Sequence, residues 1–252
     1  MNADVLSLDG KKTGTLALPN AFSEAIRPDL IRRAVDAENS MRLQPQGHYM
    51  LAGMQTTATY YGAMHSYRTG RHMGIAIRPR EKLGGGVQGK VKRIPSAVKG
   101  KRAHPHTVEK RLVERINKKE YRKALSSAIA ATSKPSPIIV SDSINSIKKT
   151  RDMARLIKTL TGINTGDHKS RQRKGIRRGS KQKTYGKKIL IVCSEPNTMI
   201  FARNIAGVDA CMPESITVGL FAPGGNTFRK VIWSESAIKG LDSAIGKKEI
   251  RR

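Results

Sequence analysis

Hydrophobic and polar positions divide this chain into patterned stretches and two long unpatterned ones. Val5, Leu6 and Leu8 run into Asp9-Gly10, and Leu16 and Leu18 follow, which predicts a hairpin with its turn at the Asp-Gly pair. Pro28 suits the first position of a helix, and Leu30, Ile31, Ala34, Val35, Glu38 and Met41 form a mostly apolar helical face that fades at Gln44-Pro45. Pattern returns after His106. Val108, Leu112 and Ile116 predict one helical stripe, and Tyr121, Ala124, Leu125, Ala128 and Ile129 continue it behind an N-cap at Asn117 with Glu120 three residues on. Ile138-Ile139-Val140 predicts a strand. Met153, Leu156, Ile157 and Leu160 predict a helix ended by Gly162. Beyond residue 188, strands are expected at 189–193, 208–211 and 231–233. Helices are expected from Met199 to Ile205, closed by Gly207, and from Ala237 to Ile245.

Short, wholly apolar strands alternating with helices predict an α/β fold, a mostly parallel sheet covered by helices, with right-handed crossovers. The span from Pro45 to His106 does not fit inside such a domain. A structureless loop of about 60 residues is improbable in a compact fold. The expected organisation is therefore a globular α/β domain built from 1–44 and 107–252, with 45–106 as an extended arm inserted between helices.

Charge sharpens that picture. The formal net charge is +29, and two stretches supply +20 of it. Arg68 to Arg102 holds eleven Lys and Arg against Glu81 alone; Lys169 to Lys188 holds ten and no acid. Such a density of like charge repels itself unless a polyanion neutralises it, and Lys and Arg meeting phosphates release counterions. These are expected to be nucleic-acid-embedded segments. The binding candidates are Arg68, Arg71, Arg78, Arg80, Lys82, Lys90, Lys92, Arg93, Lys99, Lys101, Arg102 and His104 in the first stretch. In the second they are Lys169, Arg171, Arg173, Lys174, Arg177, Arg178, Lys181 and Lys183. Solvated charge runs are the plainer reading. Four tyrosines, Tyr49, Tyr60, Tyr61 and Tyr67, precede or enter the first stretch; they can stack on unpaired bases or pack at the base of the arm.

No enzyme constellation survives inspection. Gly84-Gly85-Gly86-Val87-Gln88-Gly89-Lys90 fits GxxxxGK, but Val91 stands where a Mg²⁺-binding hydroxyl belongs and no buried strand precedes it. Gly224-Gly225, after a short expected strand, lacks the third glycine of a dinucleotide fingerprint. His104 and His106 alone make a poor metal site. Ser194 and Glu195 read as a helix cap and first-turn acid. Cys193 and Cys211, in apolar runs, read as buried thiols, with a disulfide or metal pair as the lesser alternative. No cofactor, no metal and no small-molecule substrate are expected. No run of 18 apolar residues spans a membrane, and no signal peptide is evident at Met1-Asn2-Ala3.

Five ordered pieces carry a resemblance. They are Arg93-Ile94-Pro95-Ser96-Ala97-Val98-Lys99-Gly100-Lys101-Arg102-Ala103-His104-Pro105, the run from Lys123 to Thr132, Ala202-Arg203-Asn204-Ile205-Ala206-Gly207-Val208-Asp209, Leu220 to Gly225, and Val231 to Ala237. Together the chain resembles universal large-subunit ribosomal protein four in its archaeal and eukaryotic form. The resemblance implies a globular domain on the outer face of the large ribosomal subunit, early binding in assembly, and an arm that penetrates the ribosomal RNA. Its tip, near Arg71, His72 and Met73, would help line the nascent-peptide exit tunnel. The implied partners are large-subunit ribosomal RNA, neighbouring ribosomal proteins and the nascent peptide, in cytoplasmic ribosomes. The 169–188 stretch is similar to the basic segment of archaeal and eukaryotic members, and the lack of a long C-terminal extension favours the archaeal type. Two other classes stay open: a non-ribosomal nucleic-acid chaperone or chromatin protein, and an RNA-modifying enzyme on the same sheet.

Overall fold

The computed structural model describes residues 1–59, 74–83, 88–163, 171–172, 183–184, 186, 188–246 and 248. Along the chain come strands β1 (Asn2–Leu6) and β2 (Lys12–Ala17), helix α1 (Pro28–Met41), and three short strands, β3 (Ala58–Thr59), β4 (Arg80–Lys82) and β5 (Gln88–Val91). Then follow α2 (Lys118–Thr132), β6 (Ile138–Val140), α3 (Thr150–Thr161), β7 (Arg171–Gln172), β8 (Lys183–Thr184) and β9 (Ile189–Val192). The last elements are α4 (Pro196–Arg203), β10 (Val208–Cys211), α5 (Val218–Phe221), β11 (Lys230–Ser234), α6 (Glu235–Lys239) and α7 (Leu241–Gly246). The chain forms two compact units, Met1–Arg42 with Val113–Arg252, and Leu43–Leu112.

The larger unit is a six-stranded sheet in the order β10-β9-β11-β6-β1-β2. Only β1–β2 is antiparallel; the other four pairings are parallel. The expected α/β class is therefore observed. The hairpin turns where the Asp-Gly pair predicts: Gly10 takes φ +80°, and Ser7 N–H donates to Lys11 O at 2.7 Å. Strand β9 is buried at every position, as a central parallel strand covered on both faces must be.

Period-2 alternation sorts the strand side chains into two cores. Ile139, Leu190, Val192, Val231 and Trp233 pack with apolar residues of α1, α2, α5 and α6 on one face. Val140, Ile189, Ile191, Val208 and Ile232 pack with Met153, Leu156, Ile157, Met199 and Ala202 of α3 and α4 on the other. Trp233 centres the first core, edge-on to Phe22 at 5.4 Å and stacked against Phe221 at 5.8 Å. Helix α1 starts at Pro28 and buries Ile31, Ala34, Val35 and Glu38 at helical spacing. Helix α3 ends at Gly162 in the left-handed conformation, φ +69°.

Five expectations need correction. Residues 107–117 are not helical. Of that stripe Val108 is exposed and only Ile116 packs against the core, so the stretch lacks the continuous apolar face that a short helix needs. Helix α2 does begin after Asn117, but without a side-chain cap; Glu120 instead pairs with Arg33 at 2.7 Å. The segment before Gly224-Gly225 is the one-turn helix α5 rather than a strand, too short to show a period. Glu195 stands at the N-cap of α4, which starts earlier than expected because Pro196 fixes the first turn and which ends at Arg203. The final helix is broken into α6 and α7 at Gly240, a poor helix former.

The larger unit also closes its own gap. Ser40, buried near the end of α1, accepts a 2.9 Å hydrogen bond from the backbone N–H of Glu114. The residues flanking the inserted unit are thereby joined.

Candidate nucleic-acid interface

The smaller unit carries thirteen Lys and Arg against two acids, Glu81 and Glu109. Its described residues form no core: among them only Gly53 and Pro79 are buried. Its frame is a three-stranded antiparallel sheet, β3-β4-β5. That sheet is tight, since a Cβ on Gly89 would approach Glu81 Cβ at 2.8 Å. Leu83, Ile75, Ile77 and Val91 are all exposed. A unit with so little buried apolar surface needs something else to cover it.

The cations differ in what they do. Arg80 is partly internal: Nη2 donates to Ala76 O at 3.0 Å and Nη1 to Gly89 O at 3.4 Å, bracing the sheet. Lys92 pairs with Glu81 at 3.5 Å. Arg78, Lys90, Arg93, Lys99, Lys101, Arg102 and His104 are exposed. Among the described residues, none of Lys90, Arg93, Lys99, Lys101 and Arg102 has an acidic partner. The turn between Ile94 and Gly100 places some of them. Ala97 N–H donates to Ile94 O at 3.2 Å and Gly100 N–H to Ala97 O at 2.8 Å. A Cβ at Gly100 would collide with the Ile94 carbonyl, so only glycine fits. Lys99 itself takes φ +55°, an uncommon conformation for a residue with a side chain. Two further exposed cations, Lys110 and Arg111, escape a reading that folds them into a helical stripe.

The second basic stretch contributes less to the described structure. Arg171 and Lys183 lie in β7 and β8, which pair antiparallel. The expected sites Lys169, Arg173, Lys174, Arg177, Arg178 and Lys181 fall outside the described residues, as do Arg68, Arg71, His72 and Met73. Lys82 is described as backbone in β4.

Competing chemistries find different arrangements. Gly89 and Lys90 lie in β5, an antiparallel strand, not at the start of a helix. Gly224 and Gly225 form a turn with φ +78° and +81°, and a Cβ on Gly225 would sit 3.1 Å from Arg32 Cα. Among the described residues no group of three or more His, Cys, Asp and Glu is placed to hold a metal. Cys193 and Cys211 are free and buried, and they join opposite core clusters. Burial pushes the Cys193 thiol up to about 11 and the Cys211 thiol up to about 12, away from reactivity. Ser194 Oγ donates to Ser236 Oγ at 2.9 Å, and Ser236 Oγ to Asp142 Oδ1 at 2.8 Å. That chain ties three strand ends together, and Asp142 also accepts the Ser236 backbone N–H at 2.9 Å, as a capping carboxylate does. No described helix is long and apolar enough to cross a membrane.

Comparison with known proteins agrees with this geometry. The family model of the ribosomal protein L4/L1 family matches residues 16–244. The chain is 36% identical over 259 residues to the large ribosomal subunit protein uL4 of Methanospirillum hungatei, covering 96% of this chain and 98% of that protein. It is 38% identical over 260 residues to the uL4 of Methanococcoides burtonii, covering 95% and 97%. It is 36% identical over 261 residues to that of Methanocaldococcus jannaschii, covering 96% and 98%. The larger α/β unit, the cation-rich insertion and this full-length likeness converge: the chain belongs to the ribosomal protein L4/L1 family, in its archaeal form.

Proposed function

We propose that this protein is a structural constituent of the large ribosomal subunit that binds large-subunit ribosomal RNA and supports assembly in the cytoplasm. It is not an enzyme. The observation that carries the reading is the smaller unit: seventy residues, thirteen cations, and two buried residues among those described. RNA supplies both the counter-charge and the missing cover. The α/β unit anchors it, and neighbouring ribosomal proteins complete the surroundings.

Salt dependence tests this. If about ten cations of the two stretches neutralise phosphates, log K falls with log salt at a slope of about −7 to −9. Neutralising Arg93, Lys99, Lys101 and Arg102 together lowers that slope by about three to four. A slope near zero overturns the electrostatic account.

The finer reading concerns the arm over 45–106. Thirty residues out and thirty back reach roughly 100 Å at full extension, enough to carry a tip far from the anchor. In this reading Arg71, His72 and Met73 meet the nascent peptide at the tunnel wall. Deleting 69–78 is expected to leave the α/β unit folded and incorporated, while changing stalling by arrest peptides. Unchanged stalling and an unchanged constriction would place the tip elsewhere in the arm.

A further inference from the structure

Within the smaller unit, one stretch has a different chemistry from the rest. Residues 43–59 contain no Lys, Arg, Asp or Glu. They nevertheless expose large apolar side chains: Tyr49 is 62% and Met50 65% accessible, and Leu51 and Met54 are exposed beside them. Tyr49 is thus not packed within its own unit.

This turn is closed by backbone hydrogen bonds. Ala52 N–H donates to Tyr49 O at 2.9 Å, and Met54 and Gln55 N–H donate to Leu51 O at 3.0 and 2.8 Å. His48 N–H donates to His106 O at 3.2 Å. Gly53 is buried, and a Cβ there would run into the carbonyls of Arg102 and Ala103. The turn therefore rests on the returning chain that presents Lys101, Arg102 and His104 to solvent.

A phosphate is not what an uncharged turn recognises. An aromatic ring with methionine and leucine neighbours wants a flat apolar face, and the cations on the supporting chain want anions next to it. A single-stranded nucleotide offers both: a base with a π-face and phosphates on either side. We propose that Tyr49 is a stacking platform for an unpaired ribosomal RNA base, flanked by Met50 and Leu51, with Lys101 and Arg102 taking adjacent phosphates. This rests on the RNA-binding reading above and adds a base contact to it. A protein partner is disfavoured by thirteen cations against two acids in the same unit, which select a polyanion.

The test uses the full chain and an in vitro transcript of archaeal large-subunit ribosomal RNA, with Kd measured across a salt series. Tyr49→Leu keeps size and apolarity but removes the ring. It is expected to weaken binding about tenfold at every salt concentration and to leave the slope unchanged. Tyr49→Phe is expected to bind like the parent. The pair Lys101→Gln and Arg102→Gln is expected to lower the slope by about two instead. If Tyr49→Leu binds as tightly as the parent while the parent keeps its steep slope, stacking is overturned and RNA binding stands. A flat slope in the parent overturns RNA binding itself. If Tyr49→Phe is as weak as Tyr49→Leu, the hydroxyl rather than the ring face makes the contact, which also overturns stacking. A Tyr49→Leu protein that binds RNA normally but is depleted from purified large subunits would assign the turn to a protein neighbour.

Discussion

Tyr121 Oη donates a 2.7 Å hydrogen bond to Glu38 Oε1, joining α2 to α1 inside the larger unit. The same Glu38 carboxyl group accepts the backbone N–H of Val218 at 2.7 Å and of Gly219 at 3.0 Å. One buried acid thus holds the start of α5, a helix of four residues that could not stand alone. Removing the acid takes the partner from two backbone donors and a phenol in a largely buried site. Glu38→Ala is expected to destabilise the protein by about 2–4 kcal/mol in urea denaturation, and Tyr121→Phe by about 1 kcal/mol. A Glu38→Ala loss no larger than that of Tyr121→Phe would show that α5 does not depend on this carboxyl group.

The same site and the two thiols set an alkaline limit. Burial first, and then the negative charge and hydrogen bond of Glu38, push the Tyr121 phenol far above its ordinary value. Burial likewise raises Cys193 to about 11 and Cys211 to about 12. For each group the folded value lies above the unfolded one. Stability is therefore fully present below about pH 9, and it falls as pH rises through the folded values, because the unfolded chain sheds these protons first. Denaturation midpoints are expected to be flat from pH 7 to 8.5 and to drop from pH 9 to 11. The drop is expected to be smaller in a Cys193→Ser, Cys211→Ser protein after correction for its lower baseline.

Thiol chemistry offers a faster check. At pH 7.5 both cysteines are protonated and inaccessible, so a disulfide-exchange reagent is expected to react slowly with the native protein and with two thiols at once in denaturant. Rapid reaction of one thiol in the native state would show that a strand end opens.

Arg229 and Asp209 form a 2.5 Å ion pair in which the Arg229 side chain is only 7% exposed. Breaking a largely buried pair is costly. Arg229→Ala is expected to cost about 3 kcal/mol, against less than about 1 kcal/mol for removing the exposed Lys12 partner of Asp4. Equal losses would indicate that water reaches the Arg229 site.

Gly225 is expected to tolerate no side chain. Its φ of +81° lies in the left-handed region, and a Cβ there presses on Arg32 Cα. Gly225→Ala should lose about 1–2 kcal/mol, whereas Gly14→Ala, with nothing nearby, should be close to neutral. Thermal melts of the two variants compare them directly.

Elements with a strong period were legible in the sequence. Ile31, Ala34, Val35 and Glu38 mark α1, Ile189 to Val192 mark a strand buried on both faces, and Asp9-Gly10 marks its turn. What was not legible depends on partners distant in the chain. The stripe Val108–Leu112–Ile116 has helical spacing, but only Ile116 reaches the core. Helix α5 exists because Glu38, 180 residues away, holds it. In the interface, charge density located the cations but could not sort them. Arg80 bracing the sheet and Lys99 standing free on a turn look alike as letters. The support of Tyr49 by Gly53 against Arg102 is a contact across about fifty residues, with no local signature.

The hydrogen bond between Ser40 and Glu114 makes the length of the insertion nearly a free variable. With both flanks held in the larger unit, that unit senses only the closure of a loop, and doubling a flexible loop costs about 0.6 kcal/mol. Selection could lengthen, trim or re-sequence what lies between 43 and 112 with little penalty to the anchor's own stability. The shape of an RNA cavity, rather than the thermodynamics of this protein, would then decide how far the arm extends.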